Sequence, residues 1–305
     1  MASGDILFAS NPFRCLIAGY PGSGKTGCLA ALANAGFKLR VLSFDKRANM
    51  APLLMFTEPD KRKNIDVLFF EDPLTVEDRY IGVLGIPNAF AGALKAMDRW
   101  KYKEGETEID LGRSKEWGRD TVVVLDNLTS MGDAAMRRAR AIRNKTPVNT
   151  TDDTWGLAMN EQAAFIEKMA ANANNFHLVI NAHMKMVGPK GERSGDTELQ
   201  KLVKEQEAEL ISTRLYPSAL GRALPPEICR HLPTVLRAER RVDRAGKEKR
   251  VLLTVSGPEF DTKVPAIGLA AELPIETGLL TVLEAVSGKA EEMIGGNSGN
   301  AVSAA

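Results

Sequence analysis

Short apolar runs separated by amphipathic stretches set the rhythm of the chain. Residues 13–18, Phe-Arg-Cys-Leu-Ile-Ala, form the first run, and an Ala/Leu-rich segment with helical spacing follows over about 25–35. Gly36 stops that helix, as a glycine just past a helix end does. Three further runs each close on acid: 38–45 ends at Asp45, 64–72 at Glu71-Asp72, and 120–126 at Asp126. A fifth, 176–183, ends at His183. The unbroken β-branched stretch Thr-Val-Val-Val before Leu125 suits a central parallel strand buried on both faces. Helical spacing recurs at 50–56, 86–100, 130–144 and 154–173, whereas 101–118 is polar and glycine-containing and reads as an exposed connector.

Strands that alternate with helices in this way imply right-handed βαβ crossovers and an α/β fold. The sheet is expected to be mostly parallel and twisted, with helices on both faces. Ligands in such sheets collect at the carboxyl ends of the strands. Gly19, Asp45, Glu71, Asp126 and His183 all lie at those ends. Beyond them the pattern changes. Residues 184–215 are charged and predict a mobile loop, with a helix over about 198–210. Two antiparallel strands, about 233–241 and 249–256, predict a C-terminal β extension over 216–275. Residues 288–305 have the composition of a disordered tail. The expectation is one domain over 1–287 with its core at 13–185.

The turn after the first strand carries the chemistry. It reads Gly19-Tyr20-Pro21-Gly22-Ser23-Gly24-Lys25-Thr26-Gly27, between a strand and a helix, the context a phosphate-binding P-loop needs. Its glycines let successive N–H groups converge on one anion, and the helix N-terminus adds partial positive charge. Lys25 is then expected on the β- and γ-phosphates and the Thr26 hydroxyl on Mg²⁺. Asp126, closing an apolar strand downstream, is the candidate Walker B carboxylate for the same ion. No guanine-reading Asn-Lys-x-Asp occurs, which favours ATP.

Composition narrows the rest. The 305 residues are 44% hydrophobic and 26% charged with a net charge of +1, so no global field argues for nucleic acid or membrane. Cys15, Cys28 and Cys229 have no metal-like spacing and read as reduced thiols of a cytoplasmic protein. No apolar run is long enough to span a bilayer, and the first residues do not read as a signal peptide.

The water-activating group is the open point. Asn127, not Glu, follows Asp126, which argues against the AAA+ arrangement and toward the RecA-like one. In the latter the carboxylate comes from the end of the second strand, where Asp45 stands and Arg47 occupies about the usual Glu position. Asp45, Glu71 or Asp72 remain alternatives, as does slow hydrolysis. His183 is a candidate γ-phosphate sensor, while His177 reads as structural. Two basic sets are local enough for DNA phosphates: Arg137, Arg138, Arg140, Arg143 and Lys145, and Lys185 through Arg214 with Arg237, Arg240, Arg241, Arg244, Lys247, Lys249 and Arg250. Arg222 is a candidate arginine finger reaching a neighbouring subunit's nucleotide.

Residues 19–278 resemble the small RecA-like ATPases of tailed bacteriophages, often described as Sak-type single-strand-annealing or recombination ATPases. The segments that carry the resemblance are the P-loop, Leu-Ser-Phe-Asp45 with the following Pro-Leu-Leu54, Val-Val-Leu-Asp126-Asn-Leu-Thr, Val-Ile-Asn-Ala-His183, Tyr216-Pro-Ser-Ala-Leu-Gly-Arg-Ala-Leu and Ala271-Glu-Leu-Pro-Ile-Glu-Thr-Gly. The resemblance implies a RecA-like core, ATP and Mg²⁺, single-stranded DNA, homo-oligomers and cooperation with a single-strand-binding protein, in the cytoplasm of a host. Two other readings stand beside it: a nucleotide-switched assembly protein with little turnover, and a packaging or helicase-type motor. DNA-stimulated turnover separates the first from the annealing protein, and translocation separates the second.

Overall fold

The structure is a computed structural model, and it describes residues 11–76, 80–186, 214–221, 223–242 and 246–289. All five expected strands form: β1 (Arg14–Gly19), β2 (Lys38–Ser43), β3 (Ile65–Phe69), β8 (Thr121–Asp126) and β9 (His177–Ala182). Two short hairpins lie between the third and fourth of them, β4 (Leu74–Val76) with β5 (Ile81–Val83), and β6 (Lys101–Glu104) with β7 (Thr107–Asp110). The second hairpin replaces the expected connector at 101–118. Gly105 turns it at φ 59°, and Trp117 packs edge-on against buried Trp100 beneath it.

C-terminal to β9 come β10 (Met184–Met186) and β11 (Leu215–Pro217), paired with each other, then β12 (Thr234–Val242), β13 (Glu248–Leu253) and β14 (Glu272–Pro274). The main sheet has the order β14-β13-β12-β1-β9-β8-β2-β3. It is parallel from β12 to β3 and antiparallel at β13 and β14. The C-terminal β extension is therefore no appendage: β12 is the second neighbour of the P-loop strand. All six residues of β1 are buried, and a strand buried at both edges needs a ladder on each.

Two apolar layers cover the sheet. Val123 and Leu125 of β8 face a cluster with α4 (Ala89–Asp98), α5 (Leu128–Ile142) and α6 (Asp152–Ala170), which holds Phe90, Phe165 and Trp100. Val122 and Val124 face the opposite cluster. There the P-loop helix, split into α1 (Lys25–Cys28) and α2 (Ala30–Asn34), packs with α3 (Ala51–Phe56) and the terminal α8 (Gly278–Ser287). A small helix, α7 (Leu224–Ile228), precedes β12. This alternation along β8 is what a strand buried on both faces requires. The fold is an α/β P-loop NTPase core, a mostly parallel sheet with helices on both faces. The expected helix at 198–210 and most of the tail at 288–305 lie outside the described residues.

Candidate functional site

The carboxyl ends of β1, β2, β8 and β9 meet because these strands are neighbours or near neighbours in the sheet, with Asp126 in register between Ser43 and Asn181. The turn after β1 is tight against its surroundings. A Cβ at Gly19 would lie 2.5 Å from the Ala238 carbonyl oxygen of β12 and 2.5 Å from Ser23 Oγ, so only glycine fits there. Gly24 holds φ 97° at the mouth of α1. Tyr20, Pro21 and Gly22 are exposed at the crest, while Ser23 and Lys25 are buried.

Lys25 Nζ donates to the carbonyl oxygens of Gly19 (2.8 Å) and Tyr20 (3.0 Å). Burial lowers its pKa to about 8, against the opposing pull of Asp126. Thr26 Oγ1 donates to Asp126 Oδ2 at 2.9 Å. Asn181 Nδ2 donates to the other carboxylate oxygen at 3.3 Å, leaving its own Oδ1 buried without a partner. Burial raises the Asp126 carboxyl to about 6, although the Thr26 and Asn181 hydrogen bonds favour its charged form. The Thr26 hydroxyl, the Asp126 carboxylate and the free Asn181 oxygen form a hard-oxygen set that fits Mg²⁺. Among the described residues no three His, Cys, Asp or Glu side chains cluster around a metal position.

Asp45 reaches the same place from β2. Asn127 Nδ2 donates to its Oδ2 at 2.7 Å and Ser130 Oγ to its Oδ1 at 2.6 Å. Asn127 also caps α5, its Oδ1 accepting from Ser130 N, and its Nδ2 lies 3.5 Å from His183 Nε2. The peptide between Asp126 and Asn127 is cis. Burial, and then the Lys25 charge, lower the His183 pKa, so the ring is neutral near pH 7. Arg47 turns away, its guanidinium 5.2 Å from the centre of the Phe69 ring.

Glu71 and Asp72 sit elsewhere. Glu71 is exposed beyond β3, four places along the sheet from β1 and so roughly 19 Å away at about 4.8 Å per strand. Asp72 is buried and spoken for, accepting from the Asn88 and Ala89 amides at the start of α4 and from Arg137 Nε. The structure thus brings together Lys25, Thr26, Asp45, Asp126 and His183, and leaves Glu71 apart. Arg222 lies outside the described residues. His177 is fully buried and accepts from the Phe13 amide at the far end of the strand.

The basic sets are largely paired. On α5, Arg137, Arg138 and Arg143 meet Asp72, Glu161 and Asp153. On the β12–β13 ribbon, Arg237, Arg240, Arg241, Lys249 and Arg250 meet Glu239, Glu248 and Glu272. Lys185 Nζ donates to the Ala219 and Gly221 carbonyls.

A family model described as an AAA domain matches residues 11–265. The chain belongs to this AAA domain family. In this AAA domain the residue after Asp126 is Asn127, and the carboxylate it holds comes from β2. Fold and family together make the chain an AAA-type P-loop NTPase. No curated protein matches it. Solved structures similar to it include the flagellar accessory protein FlaH from Methanocaldococcus jannaschii (10% identity, 83% of this chain and 80% of that one, TM-score 0.35). A type III secretion ATPase of pathogenic bacteria is another (11% identity, 77% and 54%, TM-score 0.37). The ATPase EscN from enteropathogenic E. coli, solved with its central stalk EscO, is a third (13% identity, 66% and 53%, TM-score 0.35). The chain spans about half the length of the two secretion ATPases, aligning with 54% and 53% of them.

Asn181, Ser130 and Thr129 are site residues that sequence reasoning missed. Thr129 Oγ1 accepts from the His183 amide and donates to the Ser218 carbonyl, and Ser218 N donates to the His183 carbonyl at 2.6 Å. The one available signal was an Asn inside the otherwise apolar Leu-Val-Ile-Asn-Ala strand.

Proposed function

We propose that the chain is a Mg²⁺-dependent ATPase that works on single-stranded DNA, in phage annealing or strand exchange, as a homo-oligomer. Lys25 holds the phosphates, Thr26 and Asp126 hold Mg²⁺, and Asp45 orients the attacking water. The bound ion supplies charge neutralisation on the phosphates; the chain's own groups position them. The observation that carries the reading is the junction at His183. Its ring touches Asn127, which holds Asp45, and its backbone leads directly into β10, which pairs with β11. Between those strands the sequence carries Lys190, Arg193, Lys201 and Lys204. A change at the phosphates thus has a short covalent route to a segment in which these basic residues are interleaved with acidic ones. The ion pairs on α5 and on the β12–β13 ribbon concentrate the DNA-binding assignment on that segment.

The test is steady-state ATP hydrolysis with and without single-stranded DNA, with Lys25→Ala as the blank. DNA stimulation that the variant loses supports the reading. Tight ATP binding with negligible turnover under both conditions overturns it. A second reading, a nucleotide-switched assembly protein, then leads. It is favoured by Asp45 being held by both Asn127 and Ser130, which takes up one acceptor position on each carboxylate oxygen.

A further inference from the structure

The crest of the P-loop is fastened from outside by the C-terminal strands. Arg250 of β13 donates from Nε to the Gly22 carbonyl oxygen at 3.0 Å, across 228 positions of sequence. The other side of the same peptide unit is held as well, since Ser23 N donates to the Tyr20 carbonyl at 3.2 Å. That Tyr20 carbonyl is one of the two backbone oxygens that receive Lys25 Nζ. A run of contacts therefore joins Arg250 to the Gly22–Ser23 peptide, to Tyr20, to Lys25. Arg250 is itself fixed: Glu248 Oε1 lies 2.6 Å from its Nη2, and its own carbonyl accepts from Ile275 N at 3.2 Å. A Cβ at Gly24 would meet Ile275 Cγ1 at 2.9 Å and Arg250 Cδ at 3.1 Å, so both side chains pack on the loop.

We propose that Arg250 is a positioning residue of the nucleotide site, acting on Lys25 through the Gly22–Ser23 peptide. This rests on reading residues 19–26 as the phosphate cradle. A peptide that can flip places a carbonyl where an amide should face the anion, and a cation on the outer oxygen prevents the flip. Arg250 binds no phosphate in this scheme. It sets the loop before the ligand arrives, so its loss weakens ground-state and transition-state binding alike and acts on KM rather than kcat.

The experiment is titration of N-methylanthraniloyl-ATP with Mg²⁺ into the full chain and into Arg250→Met, Arg250→Lys and Lys25→Ala, alongside their ATPase kinetics. Met keeps the apolar stem against Gly24 but removes the donor, whereas Lys restores a donor. The expectation is about tenfold weaker binding and a raised KM for Arg250→Met, kcat within about threefold, and recovery of most affinity in Arg250→Lys. Wild-type affinity in Arg250→Met overturns the proposal, since it would mark a packing role only, and so does equal loss in Met and Lys, since a donor alone would then not restore the loop. Should the wild type and Lys25→Ala bind alike, the phosphate cradle itself falls and the proposal with it, an outcome that neither Arg250 variant can mimic.

Discussion

Lys25 and Asp126 are opposite charges buried together, and burial pushes their pKa values toward each other, to about 8 and about 6. Nucleotide with Mg²⁺ needs the ammonium and the carboxylate. Affinity should therefore be highest between about pH 6 and 8, falling below as protons compete at Asp126 and above as Lys25 neutralises; binding titrations across pH check this. The same shifts act on stability with opposite sign. A raised carboxyl pKa gives stability at low pH that is lost as pH rises through about 6, and a lowered ammonium pKa costs stability until pH rises past about 8. The ligand-free protein thus bears both penalties in the window where it binds best. Asp45→Asn should cut kcat by roughly 10²–10³ with ATP affinity retained, and Arg47→Ala should change it little. At this scale the sequence was readable wherever one short motif carries the chemistry, as at 19–27. Asn181 was not, because its meaning depends on lying in register beside Asp126, and register is a property of two strands.

Elements tell a similar story. β1, β2, β3, β8 and β9 were legible from runs of apolar residues bounded by polar ends. The β4–β5 and β6–β7 hairpins were not, since each is only three or four residues a side and largely exposed. The segment Leu-Pro-Ile-Glu-Thr-Gly carried part of the resemblance with no physical reason visible in the sequence; in the fold it is β14 and the turn that seats Ile275 on the P-loop and starts α8. Leu279, Val282 and Leu283 of α8 are fully buried against the P-loop side of the sheet. Leu283→Ala should cost about 2–5 kcal/mol of stability, read by chemical denaturation.

For the whole molecule, the decisive fact is that β12 lies beside β1. The region after residue 213 was expected as an extension, and an extension can be cut away. A chain ended at residue 213 would expose the β1 edge and strip α8 from the core. It should fail to give a soluble folded protein, while the full chain should unfold in one cooperative step by calorimetry. Sequence periodicity reports which residues are buried, and it is silent on which strand completes which edge.

The placement of β1 also sets a timetable for the ribosome. Its two neighbours in the sheet begin at His177 and Thr234, so the P-loop strand leaves the exit tunnel with neither partner made. At about 5–20 residues per second, the last of them follows roughly 10–40 s later. Through that interval the apolar stretch that will hold the phosphate loop has neither edge paired, and the nascent polypeptide has no nucleotide pocket with which to recruit ATP.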